Sequence, residues 1–147
     1  MSTSLRPVTA ASPSPARDRT QDPPAPEQLL DVTAYAARPG ALVLSVRGEI
    51  DLYTSPLLRE LLLAQLPRAA RLVVINLTEV DFLGAAGLTV LLTVRTRAQA
   101  AGTHLRVVTG APLVRWVLSA AGLLTVLDVR PDLAHALPPA GGPPHFV

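Results

Sequence analysis

The chain has 147 residues and a mass of 15.5 kDa, with 49% hydrophobic and only 3% aromatic residues, enough for one domain with an aliphatic core and short of two. It contains no cysteine, which excludes disulfides, thiolate metal sites, iron–sulfur clusters and cysteine nucleophiles, and its three histidines (His104, His135, His145) lack metal-ligand spacing. All 13 basic residues are arginine, so a pI of about 9.9 reflects a net charge of only +2; with no basic run and few aromatics to stack on bases, nucleic-acid binding is not indicated.

Residues 1–27 hold six of the 15 prolines and residues 138–147 hold four. Neither stretch carries enough apolar periodicity to offset the entropy of ordering, so both are expected to be disordered tails flanking a domain over residues 28–137. The start, Met-Ser-Thr-Ser-Leu-Arg, has no apolar secretion segment, and the longest apolar run (residues 83–94) is too short to span a bilayer. A cytoplasmic protein without a membrane partner is therefore expected.

Within the domain, residues 30–37 and 41–50 read as two strands joined by Arg38-Pro39-Gly40, a turn signal that makes them a hairpin. In the second strand Leu42, Leu44 and Val46 alternate with Val43, Ser45 and Arg47. Ser55-Pro56 reads as an N-cap followed by proline at the first helical position. Leu58, Leu61, Leu62 and Leu66 continue at helical spacing until Pro67. Residues 71–77 (Arg-Leu-Val-Val-Ile-Asn-Leu) form a near-continuous apolar run, the mark of a strand covered on both faces. A second helix is predicted over residues 86–100, ended by Gly102, then a strand over 104–108. A third helix opens at Pro112 and closes at Gly122, followed by a strand over 125–129 and a short helix over 131–137. The order β-β-α-β-α-β-α-β-α predicts an α/β fold: a mixed, mostly parallel sheet opened by a β-hairpin and packed with helices through right-handed crossovers.

Catalytic constellations are sparse. Glu49 and Asp51 stand two apart at a strand end and could pair as acid and base, but no histidine or third carboxylate is placed to assist. The simpler reading is that Asp51 organises the turn into the first helix. Ser45, Ser55 and Ser119 lack a nucleophile-elbow context, and a chain without lysine has no phosphate-binding loop lysine. No enzymatic activity and no cofactor are expected. The segment Val80-Asp81-Phe82-Leu83-Gly84-Ala85-Ala86-Gly87-Leu88 is more informative, because it places small side chains at a helix entry, where unpaired N–H groups carry partial positive charge.

In sequence order, Gly48-Glu49-Ile50-Asp51, Leu72-Val73-Val74-Ile75-Asn76-Leu77, Val80-Asp81-Phe82-Leu83 leading to Gly87-Leu88, and Gly102-Thr103-His104-Leu105-Arg106-Val107-Val108 resemble a STAS domain, the family of bacterial anti-sigma-factor antagonists. The stretch Val114–Leu127, with Ala121-Gly122-Leu123, is similar to the family's third helix and following strand. The resemblance implies a regulatory, protein-binding module that sequesters an anti-sigma factor of the histidine-kinase-like ATPase type and thereby frees a sigma factor. It implies a partner surface formed by Gly84, Ala85, Ala86, Gly87 and Leu88, flanked by Asp51, Leu52, Tyr53, Thr54 and the exposed face of the first helix. Asp51 and Asn76 stand as family-like polar positions near that loop. Phosphorylatable members of the family read Asp-Ser-Ser-Gly-Leu or Asp-Ser-Thr-Gly-Leu at the helix entry. Here Gly84, Ala85 and Ala86 occupy the matching positions, and Ala85 and Ala86, at the family phosphosite, offer no hydroxyl to accept a phosphoryl group. A degenerate domain serving as a scaffold or small-ligand-sensing subunit is the alternative.

Overall fold

The structure, a computed structural model, describes residues 3–5, 22–68 and 71–139. Its element order is β1 (Thr3–Ser4), α1 (Pro26–Leu29), β2 (Leu30–Arg38), β3 (Ala41–Ile50), α2 (Ser55–Gln65, continued by one 3₁₀ turn, Leu66–Arg68), β4 (Leu72–Leu83), α3 (Ala85–Ala100), β5 (His104–Val108), α4 (Pro112–Ala120), β6 (Val129–Arg130) and α5 (Leu133–Ala136). The six strands lie in one sheet in chain order. β1–β2 and β2–β3 are antiparallel, and β3–β4, β4–β5 and β5–β6 are parallel. The expected fold class, a mostly parallel sheet opened by a hairpin, is the one observed.

The two-residue alternation of the strands sorts the core into two layers. Leu44, Val46, Val73, Ile75, Leu77, Leu105 and Val107 face α2, α3 and α4, packing with Leu58, Leu62, Leu91, Val94, Ala98 and Leu118. Ala41, Val43, Leu72, Val74 and Val108 form the opposite layer under Ala136, with Leu133 and Leu137 against it. The first half of β4 is therefore apolar on both sides, as its sequence implies. Further along, the α5-side face turns polar. Asn76 Nδ2 lies 3.4 Å from Ser45 Oγ, and Arg47 Nε donates to Glu79 at 3.0 Å in the open.

Three elements differ from the sequence expectation. β4 runs to Leu83 rather than ending at Leu77, because its polar residues stand outside the helical layer while Val80 and Leu83 stay buried. The strand expected over 125–129 is reduced to Val129–Arg130. The preceding residues wind into turns, with Leu127 N–H donating to the Leu123 carbonyl at 2.9 Å and Asp128 N–H to the Thr125 carbonyl at 3.1 Å. The terminal helix covers Leu133–Ala136 only, capped by the Asp132 carboxylate, which accepts from His135 N–H at 2.9 Å. Within the stretch 1–27, expected as a tail, Thr3 and Ser4 pair with Ala34 and Thr33 on the free edge of β2, and Pro26 opens α1. Residues 1–2, 6–21 and 140–147, which carry the rest of the expected tails, lie outside the described residues.

Candidate functional site

The site forms where β3 and β4 end side by side. Their parallel register shifts twice, between Ser45 and Arg47 and between Gly48 and Glu49, so that Ile50 comes to lie opposite Leu83. Gly48 makes the second irregularity possible. Its φ is +116°, and a Cβ there would stand 2.0 Å from the Leu29 carbonyl oxygen. The 51–54 turn and the 84–88 helix entry consequently leave the sheet together, and Gly84 N–H ties them by donating to the Ile50 carbonyl at 2.8 Å.

Asp51 builds the first of these loops. Its carboxylate accepts from the backbone N–H groups of Tyr53 and Thr54, both at 2.9 Å. The buried Thr54 hydroxyl donates to the Glu49 carbonyl at 2.7 Å and accepts from Asp51 N–H at 3.0 Å. The Thr54 backbone hydrogen bond, with smaller contributions from the Thr54 hydroxyl and Tyr53 N–H, holds the Asp51 carboxyl below its usual range. Asp51 is thus a structural acceptor, and the expected turn-organising role holds. The helix start differs from expectation: Thr54, not Ser55, is the N-cap, and its side chain faces back into the turn, leaving Ser55 and Pro56 as the first helical residues. The same turn displays Leu52 and Tyr53, 83% and 47% exposed, and Tyr53 Oη donates to the Pro24 carbonyl at 2.8 Å.

The second loop is a close-packed helix start. Gly84 is the N-cap of α3 in extended conformation, and its carbonyl accepts from Gly87 and Leu88 N–H at 3.0 and 3.2 Å. Ala85 is exposed and Ala86 half-buried. Gly87 admits no side chain: a Cβ would lie 2.5 Å from Ile50 Cγ2 and 2.6 Å from Leu83 Cδ1, both on buried residues. Gly87→Ala should therefore lower stability. Overpacking of about 1–3 kcal/mol outweighs the gain in helix propensity of up to ~1 kcal/mol. A urea denaturation midpoint equal to or above that of the wild type would contradict this packing.

The structure brings the 51–54 and 84–88 residues together, as the sequence reading placed them. It does not bring Asn76 there. Asn76 sits opposite Ser45 in mid-sheet, seven residues (roughly 20 Å of strand) before Leu83, and its Oδ1 accepts from Thr78 N–H at 3.2 Å. Phe82 is the site residue that sequence reasoning missed. It is 47% exposed, and its Cε2 lies 3.2 Å from where a Gly84 Cβ would be, so the ring flanks the helix entry. Strict alternation would not have signalled it, because beyond Leu77 the buried residues are Val80 and Leu83, three apart. Leu52, Tyr53 and Phe82 make this end of the sheet an apolar surface around small residues. Among the described residues, no group of three or more His, Asp or Glu is placed to hold a metal ion, and no helix is long and apolar enough to cross a membrane.

The profile of the STAS domain family matches residues 33–136, so the chain belongs to that family. An anti-sigma factor antagonist from Mycobacterium paratuberculosis is 29% identical, with a TM-score of 0.67 over 73% of this chain and 90% of that one. The Bacillus cell-fate determinant SpoIIAA in its phosphorylated form is 15% identical, with a TM-score of 0.54 over 71% of this chain and 95% of that one. A sulfate transporter family protein from Wolinella succinogenes is 16% identical, with a TM-score of 0.60 over 70% and 86%. The last two are likenesses of fold alone. No curated protein matches the sequence significantly.

Proposed function

We propose that this protein is an anti-sigma-factor antagonist that binds its partner through the joined 51–54 and 84–88 loops and is not switched by phosphorylation there. The observation that carries the reading is the apolar surface of Leu52, Tyr53 and Phe82 around the Gly84-Ala85-Ala86 helix entry. Exposed aromatic and aliphatic side chains gathered on one rigid end of a sheet are what a protein interface uses as anchors. The likeness to the mycobacterial antagonist supports an anti-sigma factor as the partner; the histidine-kinase-like ATPase type is part of the proposal.

The absence of a switch follows from side-chain chemistry. A phosphoryl group adds roughly −1.5 to −2 charges at neutral pH, and burying it in an interface without a matched cation costs a few kcal/mol. Alanines at 85 and 86 keep the neutral, small surface that a modified serine would lose. The complex should therefore form constitutively, with affinity unchanged by prior incubation with the partner and ATP. Ala86→Glu, which puts a fixed negative charge at the helix entry, should weaken binding by about 10-fold or more in calorimetry with an anti-sigma factor from the source cell. Wild-type affinity in Ala86→Glu would move the interface elsewhere. Gly84→Asp with Ala85→Ser and Ala86→Ser should allow phosphorylation by a partner that retains kinase activity.

A further inference from the structure

The shortness of β6 opens a cleft at the opposite end of α3. β6 pairs only with Val107 and Val108, so the first half of β5 has no strand beside it on that side. The space between it, the C-terminal half of α3 and the 123–128 turn is a cavity of about 310 Å³. Arg95 and Gln99 line it from α3, His104 from β5, Thr125 and Asp128 from the turn, and Arg130 from β6. Leu105 and Val126 supply its apolar part.

Its charge is unbalanced. Asp128 is the one acid among the lining residues, and its carboxylate is already engaged. Oδ2 lies 2.8 Å from His104 Nε2 and accepts from Arg106 Nε at 3.0 Å, while Oδ1 accepts from Arg130 Nε at 2.8 Å. Arg130 is further fixed by donating from Nη1 to the His135 carbonyl at 3.1 Å, leaving Nη2 without a partner among the described residues. Arg95, half-buried in the cleft wall, has no hydrogen-bond or ion-pair partner among the described residues. A guanidinium held in place by a carboxylate, a second one unpaired, and neutral donors on Gln99 and Thr125 are a donor set for a tetrahedral oxyanion. The volume is at the low end for ligand pockets, and no Phe, Tyr or Trp ring lines the cavity, so it suits a small anion rather than a nucleotide base.

We propose that this cleft binds a small phosphate-bearing ligand, with Arg95 and Arg130 as its charged contacts. The site is separate from the partner surface at the other end of α3 and does not depend on it. It would give the domain a ligand-sensing capacity whether or not an anti-sigma factor is bound.

The test is a titration of the full chain with inorganic phosphate, ribose 5-phosphate and acetate at constant ionic strength, read by calorimetry and by backbone amide shifts. Saturable binding of phosphate or ribose 5-phosphate is expected, with shifts confined to Arg95, Gln99, Thr125 and their neighbours and none at 84–88. Acetate should give no saturable change. Tighter binding of the sugar phosphate would identify an organic phosphate as the ligand, and equal affinity would identify free phosphate. Arg95→Gln, which leaves the Asp128 ion pairs intact, should weaken binding about 10-fold to 100-fold without moving the ligand-free melting temperature. No saturable shift with either phosphate, or undiminished binding in Arg95→Gln, would overturn the proposal.

Discussion

Gly48→Ala should destabilise the domain by about 3–5 kcal/mol, a large part of the roughly 5–15 kcal/mol that holds a natural domain folded. Two costs coincide. A φ of +116° lies outside what an L side chain adopts, which costs about 1–3 kcal/mol. The added Cβ would also meet backbone, at 2.0 Å from the Leu29 oxygen and 3.2 Å from the Leu30 Cα, so no rotamer change relieves it. Relief would require α1 and the first residues of β2 to withdraw from β3, and Leu30 is both paired with Gly48 and buried in the core. Gly102→Ala is the control. Its φ is +75°, but nothing lies within 4 Å of the new Cβ, so only the backbone term of about 1 kcal/mol should appear. The difference between the two urea midpoints measures the clash; similar midpoints would mean that the β2 start does not press on Gly48 in solution.

This glycine also shows how tertiary structure is written into a local pattern. Gly48-Glu49-Ile50-Asp51 is legible in the sequence as a motif, yet its physical content is a register device. The bulge at Gly48 aligns Ile50 with Leu83, and Asp51 then folds the chain back by accepting from two backbone N–H groups, those of Tyr53 and Thr54. Elements with strong local signals were readable to within a residue or so. The Arg38-Pro39-Gly40 turn, β5 between its flanking polar residues, and α4 between Pro112 and Gly122 are of this kind. The failures arose where tertiary context decides. Asn76, Thr78 and Glu79 look like the end of a strand because the face they occupy is solvated beyond Val74, a fact about the sheet's neighbours rather than about β4 itself. Thr125-Val126-Leu127-Asp128-Val129 alternates like a strand, but burying Leu127 beneath the turn satisfies the same apolar residue in helical-type hydrogen bonds. The adjacency of 51–54 and 84–88 was legible through motif resemblance. Phe82 was not, because its exposure depends on where β4 stops.

Asp128→Asn should cost about 2–3 kcal/mol at neutral pH, and the loss should shrink in acid. Asp128 is the shared carboxylate of Arg106, Arg130 and His104, with side-chain exposures of 26% for Asp128 and 10% for Arg106. Breaking a fully buried ion pair costs about 3–5 kcal/mol; the partial exposure here reduces that. Asparagine suits the test because Asp128 has φ +48°, a left-handed conformation that asparagine adopts readily, so the substitution removes charge without adding backbone strain. Arg106 remains buried with neutral acceptors alone, the Ala136 carbonyl 2.8 Å from Nη1 and the asparagine amide oxygen, and its charge is no longer matched. Burial by itself raises the Asp128 pKa, but hydrogen bonds from Arg130, His104 and Arg106 outweigh it and hold the carboxyl well below the usual carboxylate range. A depressed folded-state pKa stabilises the fold fully above the unfolded value of about 3.9 and progressively less as pH falls through that value toward the folded one. Wild type and Asp128→Asn should therefore differ most at pH 6–7 and draw together progressively as pH falls below about 4 in chemical denaturation. A difference that stays constant across that range would assign the loss to geometry rather than to the charge of Asp128.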